Sequence, residues 1–193
     1  MPLSFATTRT PSSLNYIFED VEVTYPMVVM NGSAIYYFDK NEYHNINKID
    51  DKTEKYIENC LDKYNINAFR YIIDDNMLHC FYKKINNAGE LKYYQDRRAN
   101  KFDNFVRAEL LDELDISLYI IIDTKEKIEM LCEDIYHSSY TSNVDLVTYK
   151  YDECEGDYWY LKINSINSRK EKLVNVMKEM NSFNKLIVTP ISP

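Results

Sequence analysis

Glycine is scarce in this 193-residue sequence, which contains three glycines, five prolines and four cysteines. The glycines lie far apart, at Gly32, Gly89 and Gly156. A phosphate loop built from glycine needs several glycines within one turn, so a Walker A loop and a Rossmann fingerprint are excluded. The cysteines form no Cys-x-x-Cys pair, and their spacing is more typical of reduced thiols than of a disulfide framework. Nothing in the sequence predicts a cofactor.

Long apolar runs are also missing, because no stretch of about 18 apolar residues occurs and the first residues do not resemble a secretory signal. We therefore expect an intracellular protein without membrane contact, or a component of a virus or phage particle. The abundance of Tyr, Asn, Ile, Lys and Asp is typical of an AT-rich genome. This composition favours a viral or phage origin.

The net charge of −8 disfavours general nucleic-acid binding, since phosphate contacts need lysine and arginine. The charge is unevenly distributed. Residues 102–157 carry −11, whereas residues 83–101 before them carry +4. This segregation allows unlike patches of two copies to meet, so a homo-oligomer is one possible assembly.

The first half of the sequence alternates strand and helix patterns. Residues 1–13 have no periodic apolar pattern, so we interpret them as an arm. Asn31-Gly32 between two β-rich runs predicts a hairpin over residues 21–38. Helical spacing predicts a helix over residues 51–64, capped by Asp51 and Glu54. Turn compositions then separate three strands of a meander, and a helix follows; these are residues 67–73, 77–85, 90–95 and 100–114.

The second half has the order β-α-β-β-α-β, which is typical of a ferredoxin-like unit. We predict an α+β fold with a mostly antiparallel sheet, helices on one face, and a ferredoxin-like C-terminal half. Residues 14–115 form a mixed lobe and residues 116–193 the ferredoxin-like unit, either as two lobes or as one continuous domain. The predicted elements are strands 116–122, 144–151, 158–163 and 186–189 with helices over 124–137 and after Ser168.

One candidate site is acidic. Asp123 ends an apolar strand, and a turn of the following hairpin carries Asp152, Glu153 and Glu155. In a ferredoxin-like sheet these carboxylates approach one another and could bind divalent metal ions. Exposed acidic turns are common, however, so an ordinary solvated turn is the simpler interpretation.

A second candidate site is aromatic. Tyr158 and Tyr160 share one face of a predicted strand, and Tyr119 on a neighbouring strand could join them. RNA-recognition domains stack bases on such a face. A protein partner, or the other half of this chain, covers such a tyrosine face more often.

A third candidate site combines basic and aromatic residues in a predicted hairpin. Such a surface can bind single-stranded nucleic acid or an acidic protein, although lysines at a sheet edge also prevent aggregation. Its members are Lys83, Lys84, Lys92, Tyr93, Tyr94, Arg97 and Arg98.

These observations favour a non-catalytic protein that binds other proteins, or itself, as a structural or assembly component. Two alternatives stay open. One is a module that binds single-stranded nucleic acid through an RRM-like face or the basic hairpin. The other is a nuclease or phosphotransfer enzyme that depends on divalent metal.

Overall fold

The protein has a mixed α/β fold with two sheets. The computed structural model describes residues 4–14, 18, 23, 25–98, 104–109, 114–169 and 175. In chain order these residues form β1 (Met27–Val29), β2 (Ala34–Tyr37), β3 (Glu42–His44), α1 (Asp51–Tyr64), β4 (Phe69–Asp74), β5 (Met77–Tyr82), α2 (Ala88–Arg98), β6 (Asn104–Arg107), β7 (Ile116–Thr124), α3 (Lys125–Tyr136), β8 (Val144–Lys150) and β9 (Tyr158–Ser165).

The small sheet has the order β1-β2-β3, and its strands are antiparallel. The predicted hairpin around Asn31-Gly32 is confirmed, because Val29 pairs with Ala34 across that turn. The chain before it lies along the outer side of β1. There Thr7 donates its backbone N–H to Val28, and Val28 donates to Phe5. This segment runs parallel to β1.

The large sheet has the order β6-β5-β4-β7-β9-β8, and β5 and β6 are its parallel pair. Strands β4 and β7 pair from Phe69 with Ile120 onward, so both halves of the sequence contribute to one sheet. The predicted pairings of β4 with β5 and of β8 with β9 are confirmed.

Each face of the large sheet is covered by a different layer. Helices α1 and α3 bury Ile57, Leu61 and Leu131 on one face. Helix α2 and the small sheet cover the other, where Tyr93 and Met27 belong to the same apolar cluster. The prediction that all helices share one face is therefore wrong for α2.

The predicted third strand of the meander, residues 90–95, is part of helix α2. Asn87 accepts a hydrogen bond from the Glu90 backbone N–H at 2.8 Å, and the Glu90 carboxylate accepts from Asn86 N at 2.6 Å. This reciprocal capping starts a helix. The Asn87…Glu90 spacing was visible in the sequence, but the surrounding turn residues had been interpreted as a hairpin loop.

The helix predicted over residues 100–114 is contradicted where the structure describes it, because residues 104–107 form strand β6. Pairing with β5 overrides the helical spacing. The Phe105 ring lies beside the rings of Phe69 and Tyr94, so one face of β6 packs on the core. Residues 99–103 and 110–113 lie outside the described ranges.

The ferredoxin-like arrangement is not confirmed. The order β7-β9-β8 agrees with it, but β4 occupies the position beside β7 that a fourth ferredoxin strand takes. The predicted strand 186–189 and nearly all of the preceding helix lie outside the described residues.

The predicted bounds of helix α1, residues 51–64, are confirmed, but its N-cap is one residue earlier than predicted. Asp50, rather than Asp51, accepts from the Thr53 backbone N–H at 3.1 Å. The hydrogen bond from the Thr53 hydroxyl lowers the pKa of Asp50. The predicted apolar face of this helix is confirmed, since Ile57, Cys60 and Leu61 lie in the core. Within the described ranges no helix is both long and apolar enough to cross a membrane.

Glu90 should make stability depend on pH. Burial is the largest of the effects that raise the pKa of its carboxyl from 4.5 to about 7. Between these values the folded chain holds a proton that the unfolded chain releases, so stability falls as pH rises. We expect Glu90→Gln to stabilise the fold by about 2–3 kcal/mol at pH 8, raising Tm by roughly 5 °C.

Most of this gain should be lost at pH 4.5, where the folded chain carries a protonated carboxyl and the unfolded chain carries one that is half protonated. Calorimetry at the two pH values measures it, with Glu155→Gln in the exposed turn as the control. An equal change of Tm at both pH values would contradict the assignment.

Candidate functional site

The acidic residues of the first candidate site are held by ordinary structural contacts. Asp123 is buried, accepts from the Thr124 backbone N–H at 2.8 Å and pairs with Lys127 Nζ at 3.0 Å. Asp152, Glu153 and Glu155 lie in the exposed turn between β8 and β9. In the part of the chain that the structure describes, no group of three or more His, Cys, Asp or Glu residues could hold a metal ion.

The tyrosines of the second candidate site are not brought together. Tyr160 pairs with Ile122, and its ring lies in the cluster beneath α2. Tyr119 points to the opposite face, where it packs with α1 and α3. The predicted common face is wrong because Tyr119 is an odd number of positions from Ile122, and side chains alternate along a strand. Tyr158 is half-buried.

The basic residues of the third candidate site lie on two elements rather than on one hairpin. Lys83 and Lys84 follow β5 and reach the end of α1, at Asp62 and Asn65. The rest belong to α2, where Tyr93 is buried against Tyr71 with 2.6 Å between the hydroxyl oxygens. Guanidinium groups lie over the neighbouring rings of this helix, Arg97 over Tyr93 and Arg98 over Tyr94; Lys92 pairs with Asp96.

A different feature stands out: the turn at Met30–Gly32, which follows β1. Its residues have φ values of 53°, 56° and 96° for Met30, Asn31 and Gly32. Left-handed backbone is rare for a residue such as methionine and costs about 1–2 kcal/mol. Such strain concentrates at functional sites, which makes this turn a candidate.

The N-terminal segment ends beside the same turn. Met30 donates its backbone N–H to Arg9 at 2.9 Å, and Asn31 donates to Thr7 at 3.1 Å. Residues 5–7 run parallel to β1 through one bridge between Ala6 and Val28, so residues 7–9 and the turn lie at the carboxyl end of this short parallel pair. Ligands of open α/β sheets bind in the crevice at such ends.

Ser168, three residues after the end of β9, also contacts the turn. A Cβ atom on Gly32 would lie 1.7 Å from the Ser168 carbonyl oxygen, so the backbones touch there. Asn47 donates to the Gly32 carbonyl at 3.1 Å. The Ser168 hydroxyl is buried and makes no hydrogen bond within the described residues.

The arrangement can bind an oxyanion. Thr8 and Arg9 are exposed, and a hydroxyl cluster of Thr10, Ser12 and Ser13 follows. Hydroxyls, amides and guanidinium groups are the donors that proteins use for phosphate. Residues 7–9 lie beside the turn at Met30–Gly32, and the Ser168 backbone contacts Gly32, so three separate segments of the chain meet here.

Sequence reasoning missed this site. The composition of Asn31-Gly32 predicts a hairpin turn alone, and residues 1–13, without a periodic pattern, predict an arm. The threonine and serine cluster beside Arg9 was visible. Its partners at the end of β9 are more than 130 positions away in the chain, so spacing could not connect them.

The chain belongs to the haloacid dehalogenase-like hydrolase family, whose sequence profile matches residues 1–188. Residues 7–9, the turn at Met30–Gly32 and Ser168 all lie within this match. No curated protein matches the sequence significantly.

Solved structures of haloacid dehalogenase-like (HAD) proteins share the fold. A hydrolase of this class from Bacteroides thetaiotaomicron is 10% identical with a TM-score of 0.68, and the match covers 92% of this chain and 64% of that one. A sugar phosphatase of HAD subclass IIB is 12% identical with a TM-score of 0.66, over 95% and 64% of the two chains. A hydrolase from B. subtilis is 15% identical with a TM-score of 0.63, over 94% and 67%. The chain thus spans about two thirds of the length of these relatives.

The family membership corrects the functional hypothesis drawn from composition. A non-catalytic structural or assembly protein is contradicted, because the family consists of hydrolases and the structural relatives include phosphatases. The viral character inferred from composition is contradicted with it. The alternative of a phosphotransfer enzyme agrees better with these findings.

Gly32 should tolerate no side chain. We expect Gly32→Ala to cost about 2–5 kcal/mol of unfolding free energy, because the new Cβ collides with backbone and the positive φ disfavours alanine. Urea unfolding measures this loss. Gly156→Ala is the matched control, since its φ is also positive but its nearest neighbour is the movable Tyr158 ring. Equal losses in the two variants would contradict the close packing at Gly32.

Proposed function

We propose that this chain is the phosphate-binding part of a phosphate monoester hydrolase. The turn at Met30–Gly32, residues 7–9 and Ser168 form its phosphate site. The observation that supports this proposal most is that a strained left-handed turn lies beside hydroxyl and arginine donors, where residues 5–7 run parallel to β1.

The chemistry of these groups fits a phosphate ester. Hydrolysis adds water across the bond between phosphorus and the ester oxygen, and it yields an alcohol and inorganic phosphate. The three non-bridging oxygens of a monoester carry the negative charge that the donors must bind. Arg9 supplies the positive charge, while the hydroxyls of Thr7 and Ser168 supply directional hydrogen bonds.

Structural relatives support this class of reaction. One is named a sugar phosphatase, and another is described as a member of a phosphoryl-transfer superfamily. We therefore propose sugar phosphates as the first substrates to test. The exposed edge of the site at Thr8 and Arg9 leaves room for the sugar outside the buried turn.

Arg9 tests the proposal most directly. We expect inorganic phosphate to raise the Tm of the chain, because a ligand that binds only the folded state stabilises it. Arg9→Ala should weaken phosphate binding about tenfold to a hundredfold, which corresponds to one charge-assisted hydrogen bond of about 1.5–3 kcal/mol. Calorimetric titration with phosphate measures binding, and phosphate release from a panel of sugar phosphates measures hydrolysis.

Arg98→Ala is the matched control, because Arg98 is an exposed arginine on α2 whose guanidinium lies over Tyr94. It should bind phosphate as the wild-type chain does. Chloride at equal ionic strength controls for general salt effects. An equal loss of affinity in both arginine variants, or no phosphate binding by the wild-type chain, would contradict the proposed site.

A further inference from the structure

Asn164 on β9 connects the large sheet to the strained turn through side-chain hydrogen bonds. It is fully buried on the face of β9 that points to the small sheet. Its Nδ2 donates to the Met30 carbonyl at 3.3 Å and to Ser33 Oγ at 2.7 Å. Its Oδ1 accepts from Asn31 Nδ2 at 3.2 Å. All three bonds go to the turn or to the residue that follows it.

Ser33 extends this contact to a second strand. Its hydroxyl donates to the Ser117 carbonyl on β7 at 2.9 Å, while its Oγ accepts from Asn164. Asn47 holds the same residue by its backbone, donating to the Ser33 carbonyl at 2.7 Å. The turn is thus tied to β7 and β9, two neighbouring strands of the large sheet.

A strained backbone conformation persists only where the contacts around it stabilise that conformation. Left-handed φ at Met30 is the least favourable of the three, because methionine has a Cβ and no short polar side chain to form a local bond. The Asn164 amide donates to the Met30 carbonyl, and the same amide accepts a hydrogen bond from the Asn31 side chain. A side-chain amide can donate a hydrogen bond to the Met30 carbonyl and accept one from Asn31 at the same time.

We propose that Asn164 is a positioning residue for the phosphate site, holding the left-handed turn in place by bonds to Met30, Asn31 and Ser33. This role rests on the proposed function of the turn. Asn164 lies behind the turn and acts through it, so its contribution is geometric. It also makes the large sheet part of the site, although β1 belongs to the small sheet and residues 7–9 lie beside the turn that follows β1.

Two measurements separate this role from general stabilisation. Amide hydrogen exchange at Ser33, whose N–H donates to the Met30 carbonyl at 3.1 Å, reports the closure of the turn. The dissociation constant for inorganic phosphate, measured where every variant is folded, reports the site. In Asn164→Ala we expect exchange at Ser33 to quicken at least tenfold and phosphate affinity to fall about tenfold.

Asn164→Asp is the second variant, because it keeps the shape of the side chain but loses both donated bonds. Its carboxylate faces the Met30 carbonyl, so we expect an equal or larger loss of phosphate affinity. Asn67→Ala is the matched control: Asn67 is also a buried asparagine at the large sheet, and its amide makes no hydrogen bond within the described residues. It should leave both readouts unchanged.

Unchanged exchange at Ser33 and unchanged phosphate affinity in both Asn164 variants would overturn the positioning role. An equal change in Asn67→Ala would overturn it as well, because the effect would then be general. Failure of the wild-type chain to bind phosphate contradicts the proposed function instead. The two failures are distinguishable because exchange at Ser33 is measured without ligand.

Discussion

Strand β7 must be shielded from water on both of its faces. Eight successive residues from Ile116 to Asp123 are buried, and from Leu118 to Ile122 the side chains alternate between the two clusters of the core. A strand of this kind is stable only between two layers. Helices α1 and α3 provide one layer, and α2 with the small sheet provides the other. The position of the small sheet, and with it the strained turn, follows from this requirement.

The contact between the layers is polar where the turn meets β7 and β9. Buried polar groups cost free energy unless they form hydrogen bonds. Asn164, Ser33 and Asn47 satisfy one another and the carbonyls of the turn, so the junction is specific rather than merely compact. An apolar junction would hold the layers together, but it would not select one backbone conformation for Met30 and Asn31.

The composition was informative about the core and misleading about function. Tyrosine abundance suggested a binding surface, yet Tyr119 and Tyr160 are buried on opposite faces of the sheet. Segregated charge suggested a partner, yet Lys83 and Lys84 contact α1 of the same chain. Both patterns have structural causes inside this fold. Family membership, which no single motif of the sequence revealed, replaces the assembly hypothesis with that of a hydrolase.

Local chemistry in the sequence was enough to determine α1, the β4–β5 and β8–β9 hairpins and the Asn31-Gly32 turn, because caps, turn residues and apolar periodicity act over a few positions. Tertiary structure alone decided that residues 104–107 form a strand, since their pairing partner β5 lies far back in the chain. It also decided the site. Thr7, Met30 and Ser168 converge only when the parallel segment, the turn and the end of β9 are packed together, and contacts across more than 130 residues leave no local pattern.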